Sequence, residues 1–100
     1  MKVVWTEQAW ERLLEIEDFV AGDNPRAAAR LVDRLIDRGQ TLAQHPNRGR
    51  RLPELPRSGL RELIVGNYRL VYRRTSETIE VLTVFEGHLR LREDELAEGE

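Results

Sequence analysis

The stretch RELIVGNYRLVY, Arg61 to Tyr72, reads as two short strands joined by a two-residue turn. Arg61–Val65 and the residues from Tyr68 onward are rich in β-branched and aromatic side chains, and Gly66-Asn67 separates them. Glycine at the first central position of a two-residue hairpin is the type II′ signature, because that position needs a positive φ. Strand alternation places Tyr68, Leu70 and Tyr72 on one face and Arg69, Val71 and Arg73 on the other. Arg61, Leu63 and Val65 likewise alternate with Glu62 and Ile64.

Downstream, Thr75 to Glu77 form a looser turn, and Thr78–Phe85 reads as a third strand. Its expected faces are Ile79, Val81, Thr83 and Phe85 against Glu80, Leu82, Val84 and Glu86. Upstream, residues 46–59 (PNRGRRLPELPRSG) hold three prolines, two glycines and four arginines, and read as a loop. Residues 93–100 (EDELAEGE) are acidic and apolar-poor, a tail to a single domain spanning 1–92.

The first half is helical in period. Lys2 to Trp5 reads as a strand, and Thr6 caps a helix starting at Glu7. Ala9, Trp10, Leu13, Leu14, Ile16, Phe19 and Val20 form its apolar stripe, and Gly22-Asp23 stops it. Asn24-Pro25 restarts a helix with a cap and a proline at the first position. Its stripe is Ala28, Leu31, Val32, Leu35, Ile36 and Leu42, and the spacing predicts an end near Gln44 or His45, before Pro46. Gly39 inside this pattern costs about 1 kcal/mol relative to alanine. His45 is placed to meet the negative end of the helix dipole. The order β-α-α-β-β-β predicts an α+β domain, a helical hairpin packed on one face of a small, largely antiparallel sheet. The other face is expected to be half-solvated, mixing arginine, carboxylate and some apolar surface.

Composition excludes several classes. No cysteine is present, so neither a disulfide framework nor a thiolate metal site can form. No run approaches the ~18–20 apolar residues of a membrane span. Glu7 and Glu11 interrupt any secretory leader, which favours the cytoplasm. The net charge of −2 hides an asymmetry: residues 48–74 carry eight arginines against Glu54 and Glu62, or +6. Residues 75–100 carry two arginines against eight acids, or −6. Guanidinium suits phosphate and carboxylate, so the basic segment reads as an anion-binding surface or as a solvated face with scattered ion pairs.

An ordered set of residues carries a resemblance. Ala9 and Leu13, then Leu42, Pro46, Gly49, Arg50 and Pro53-Glu54, then Arg61 to Arg73 and Ile79 to Val84 form a framework covering the chain to about Arg92. It is similar to the RelE/ParE superfamily of type II toxin–antitoxin systems. The resemblance implies a growth-inhibitory toxin neutralised by a cognate antitoxin, with a toxin–antitoxin hetero-oligomer and no cofactor or metal. RelE-like members cleave mRNA in the ribosome by 2′-OH attack on the adjacent phosphate; ParE-like members poison DNA gyrase.

For the nuclease, the resemblance implies Arg61, Arg69, Tyr72 and His88 as the catalytic set, with Glu62 and Glu86 as further bases. Arg50, Arg51, Arg61, Arg69, Arg73 and Arg90 are the expected target- or partner-binding residues, and Arg92 extends that edge. Each has a structural alternative. Arg61 can pair with Glu62 or Glu80, Tyr72 can be a core tyrosine, and His88 can be a surface loop residue. A protein seated among ribosomal phosphates should be strongly basic, and this chain is net acidic with an acidic end. The expectation is therefore ParE-like gyrase inhibition, the alternatives being the ribosome-dependent nuclease and a non-toxic binding module.

Overall fold

A computed structural model describes residues 1–87. Its elements are β1 (Lys2–Trp5), α1 (Glu7–Ala21), α2 (Pro25–Gln40), a 3-10 turn (Thr41–Ala43), β2 (Arg50–Arg51), β3 (Arg61–Val65), β4 (Tyr68–Arg74) and β5 (Thr78–Glu86). Both helix starts follow the capping chemistry. The Thr6 hydroxyl accepts the Ala9 N–H at 3.1 Å, and the Asn24 side chain accepts the Ala27 N–H at 3.1 Å. The sheet is five-stranded and mixed, ordered β1-β5-β4-β3-β2, with β1 parallel to β5 and the other pairs antiparallel. Gly66 has φ +60°, whereas Asn67 does not have a positive φ, as a type II′ turn requires.

The helices pack on one face. Ala9, Leu13 and Leu35 join Leu42, Leu63, Val65, Leu70, Tyr72, Ile79, Val81 and Val84 in the main core. Gly39 explains its own presence there. A Cβ at this position would lie 3.2 Å from Trp5 Cζ2 and 3.3 Å from Leu70 Cδ1, so its absence lets α2 approach β1 and β4.

Three features depart from the sequence reading. First, α2 ends at Gln40 and tightens into the 3-10 turn instead of running to Gln44. The Thr41 hydroxyl donates to the Arg38 carbonyl at 2.6 Å, a local bond that competes with the α pattern.

Second, β5 contains a bulge. Val71 pairs with Thr83 while Tyr72 pairs with Val81, leaving Leu82 as the extra residue. Alternation breaks there, so Val84 joins Ile79 and Val81 in the main core while Leu82 and Phe85 go to the opposite face.

Third, the outer face is not half-solvated around β4. Residues 46–59 are not only loop, because Arg50 and Arg51 pair with Glu62 and Arg61 as an edge strand. The chain then folds back over the sheet, with the Leu52 N–H donating to the Leu60 carbonyl at 3.0 Å. Leu52, Leu60, Val71, Leu82 and Phe85 form a second buried cluster, with Leu55 packed against it. A fully buried leucine contributes about 1.5–3 kcal/mol, so this strap is held by more than its charges.

Candidate functional site

The arginine-bearing face of the hairpin is built around Arg69, which is only 7% exposed. Its Nε donates to Glu62 at 2.5 Å. Its Nη1 and Nη2 donate to the two carboxylate oxygens of Glu54 at 2.6 and 2.5 Å. Its guanidinium carbon lies 4.9 Å from the Phe85 ring centroid, a cation–π contact across the β4–β5 pair. Glu62 is buried and also accepts from Arg50 Nε at 2.6 Å, so two arginines neutralise it. The hydrogen bonds that Arg69 donates to Glu54, more than the one it donates to Glu62, raise its pKa against the opposing effect of burial. The same fork lowers the Glu54 carboxyl below its ordinary value.

Tyr72 is fully buried on the helix side of β4. Its hydroxyl accepts the Gly49 N–H at 3.0 Å and donates to the Pro46 carbonyl at 2.8 Å. Burial pushes the phenol above its ordinary value. Arg61 lies beside this bend, its Nη1 donating to the Gly49 carbonyl at 2.7 Å. Arg73 Nε donates to Glu80 at 2.9 Å on the neighbouring strand.

The structure thus brings Arg50, Arg69, Glu62 and Glu54 together, and separately places Arg61 and Tyr72 on the 46–49 bend. The Arg50 side chain is 65% exposed despite its bond to Glu62. Arg51 is exposed and makes no ion pair among the described residues. Glu86 is half-buried at the end of β5. His45 is exposed beyond the 3-10 turn, its N–H donating to the Thr41 carbonyl at 3.1 Å. His88, Arg90, Arg92 and the acidic tail lie outside the described residues.

Sequence reasoning did not assign Glu54, Phe85 or Gly49 to this site. Glu54 carries a signal in hindsight, as one of only two acids within the arginine-rich segment 48–74. Beside the network lies an open cavity of about 700 Å³, walled by Pro53, Glu54, Ile64, Tyr68 and Arg69. A second groove, about 550 Å³, runs between the helices at Leu14, Ala21, Ala28 and Ala29. Chemically, the sheet face offers a fixed guanidinium and an exposed arginine rim. The buried, twice-bonded Tyr72 hydroxyl is not presented to solvent.

The ParE toxin family of the type II parDE toxin–antitoxin system matches residues 3–88. Toxin Y4kP of Sinorhizobium fredii (strain NBRC 101917 / NGR234) is 38% identical over 89 residues, spanning 87% of this chain and 88% of the relative. Toxin RelE2 of Caulobacter vibrioides (strain ATCC 19089 / CIP 103742 / CB 15) is 41% identical over 64 residues, 64% of this chain and 68% of that protein. Among solved structures, a chain of the chromosomal ParDE system from P. aeruginosa superposes with a TM-score of 0.75 at 24% identity. That match covers 86% of this chain and 95% of the other. A chain of the RelBE2 complex from Mycobacterium tuberculosis gives a TM-score of 0.58 at 28% identity, covering 85% and 88%. Two helices packed on a mixed sheet, in the order β-α-α-β-β-β with the two-residue edge strand β2 as its fifth strand, match the fold of these neighbours. The chain belongs to the ParE toxin family and is a type II toxin–antitoxin toxin of the ParE/RelE kind.

Proposed function

We propose that this toxin arrests growth by binding DNA gyrase, without cleaving RNA, and that a cognate antitoxin neutralises it. The observation that carries the reading is the state of Arg69 and Tyr72. RNA cleavage by 2′-OH attack needs a base, an acid and free cationic donors within reach of the phosphate. Here the Arg69 fork is filled by Glu54 and Glu62, and the Tyr72 hydroxyl is tied to Pro46 and Gly49. The exposed arginines Arg50 and Arg51 remain for binding a target or an acidic partner.

The antitoxin reading draws on the helices. Trp10, Leu14 and Phe19 of α1 are 45%, 59% and 79% exposed, and Leu14 borders the groove between α1 and α2. An exposed leucine on a groove between two helices favours a helical or extended partner segment, giving a toxin–antitoxin hetero-oligomer.

Induction of the chain alone in a bacterium should stop growth, and co-expression of its antitoxin should restore it. Purified toxin should block gyrase supercoiling or trap cleaved DNA while leaving translating mRNA intact. Codon-positioned mRNA cuts that vanish in Arg69→Ala or His88→Ala would reverse the choice of target. Normal growth with abundant soluble protein would favour a non-toxic binding module.

A further inference from the structure

We infer that Glu54 is a built-in plug, and that the Arg69 fork it fills is a receptor for a carboxylate on an acidic peptide of a partner protein. The two carboxylates on Arg69 are not equivalent. Glu62 belongs to β3, is fully buried and is held a second time by Arg50, so it is a fixed part of the sheet. It orients the guanidinium through Nε and leaves the Nη1–Nη2 edge facing outward. Glu54 takes that edge with both oxygens, the planar geometry that guanidinium offers a carboxylate.

Glu54 nevertheless stands on a surface turn. The Leu55 N–H donates to the Leu52 carbonyl at 3.2 Å, which puts Pro53 and Glu54 at the turn's two central positions. The strap is anchored by Leu52 and Leu60 in the second core, and neither anchor depends on the Glu54 side chain. That side chain is 35% exposed against 9% for Arg69. It can rotate into water and be rehydrated, whereas Arg69 cannot leave.

Replacing Glu54 by an incoming carboxylate exchanges one bidentate pair for another, so net affinity must come from what flanks the fork. The adjoining cavity supplies it. Ile64 is 46% exposed there, Pro53 and Tyr68 form further walls, and the largely exposed Arg50 stands at the rim. This lining suits an acidic residue beside an apolar one better than a fully hydrated inorganic phosphate. A tethered competitor acts at a high effective concentration, so the wild-type site binds weakly until Glu54 is displaced. The inference does not depend on gyrase being the target, and with Glu54 displaced the case against RNA cleavage stands on the tied Tyr72 hydroxyl and on the fork's preference for carboxylate over phosphate.

The test uses the full chain with a capped Leu-Pro-Glu-Leu-Pro peptide, the sequence of residues 52–56. Binding is followed by NMR at the Arg69 Nε–H and by calorimetry. Glu54→Ala should bind this peptide at least tenfold more tightly than wild type, with a shift at Arg69. A peptide with glutamine in place of glutamate should not bind, and inorganic phosphate should bind more weakly than the glutamate peptide. Glu54→Gln, nearly isosteric, repeats the measurement should the alanine variant be poorly folded. Equal affinity of wild type and both variants, binding that leaves the Arg69 signal unmoved, or preference for phosphate would overturn the inference.

Discussion

Tyr72 and Gly49 approach each other so closely that no side chain fits between them. The Tyr72 hydroxyl accepts the Gly49 N–H at 3.0 Å, and a Cβ on Gly49 would lie 2.8 Å from that oxygen, 2.7 Å from Tyr72 Cε1 and 2.5 Å from the Glu62 carbonyl. Contacts below 3.0 Å force something to move, and here two of the neighbours are a buried ring and a strand backbone. The pair fixes where the chain leaves the helical layer and starts the strap over the outer face.

Gly49→Ala should therefore destabilise the protein by about 1–3 kcal/mol or more, as overpacking does when the surroundings cannot yield. Tyr72→Phe should cost about 1–3 kcal/mol, because it leaves the Gly49 N–H and the Pro46 carbonyl without their buried partner. Urea unfolding of each variant checks both figures. An alanine variant as stable as wild type would mean that the bend at residues 46–49 can shift freely.

The Arg69 network makes a different prediction. Arg69→Met leaves the buried Glu62 with Arg50 alone, and removal of one partner of a buried pair typically costs about 3–5 kcal/mol. Adding Glu62→Met should recover most of that loss, since a buried ion pair replaced by apolar groups of similar volume is often neutral. A double variant as unstable as the sum of the two singles would argue that packing, not charge, sets the effect.

Much of this fold was legible because local and global signals agree. Thr6 and Asn24-Pro25 mark helix starts, and Gly66-Asn67 fixes a turn whose geometry only glycine takes easily. The outer face was not legible, for a physical reason. Period-two alternation assigns faces only while the register is unbroken, and the extra Leu82 sends Phe85 to the side opposite to its expected one. The prolines of residues 46–59 read as loop, yet Leu52, Leu55 and Leu60 are spaced to cover that face. Arg69 was correctly placed on the face away from the helices, but its burial depends on Glu54 arriving from 15 residues earlier. Nothing in the alternation of β4 encodes that contact.

Stability should respond to pH at both ends. Arg69 holds the Glu54 carboxyl below its ordinary value of 4.5, more than burial raises it. A carboxyl lowered in the folded state contributes stability above its unfolded value, and that contribution disappears as pH falls through the lower, folded one. Wild type should exceed Glu54→Gln in stability at neutral pH, and the gap should close in acid. The Tyr72 phenol is raised above 10 by burial, so its contribution is complete below pH 10 and is lost as pH climbs through the folded value. Denaturant midpoints measured across both ranges test the two signs, and a Glu54→Gln gap that widened in acid would contradict the ion-pair account.

Gly39 supplies a test of the helix–sheet interface. Alanine there should gain about 1 kcal/mol in helix propensity. Its Cβ would meet Trp5 Cζ2 at 3.2 Å and Leu70 Cδ1 at 3.3 Å, tighter than ordinary contact by a few tenths of an ångström. Leu70 is fully buried and packed in the main core, so it cannot retreat, and overpacking of this kind costs about 1–3 kcal/mol. Gly39→Ala should be net destabilising by up to about 2 kcal/mol, the difference between these opposing effects. Leu70→Val removes the Cδ1 atom in the way, so Gly39→Ala with Leu70→Val should be more stable than the sum of the single changes predicts. Strict additivity in thermal or urea unfolding would show that α2 moves away from β4 instead of pressing on it.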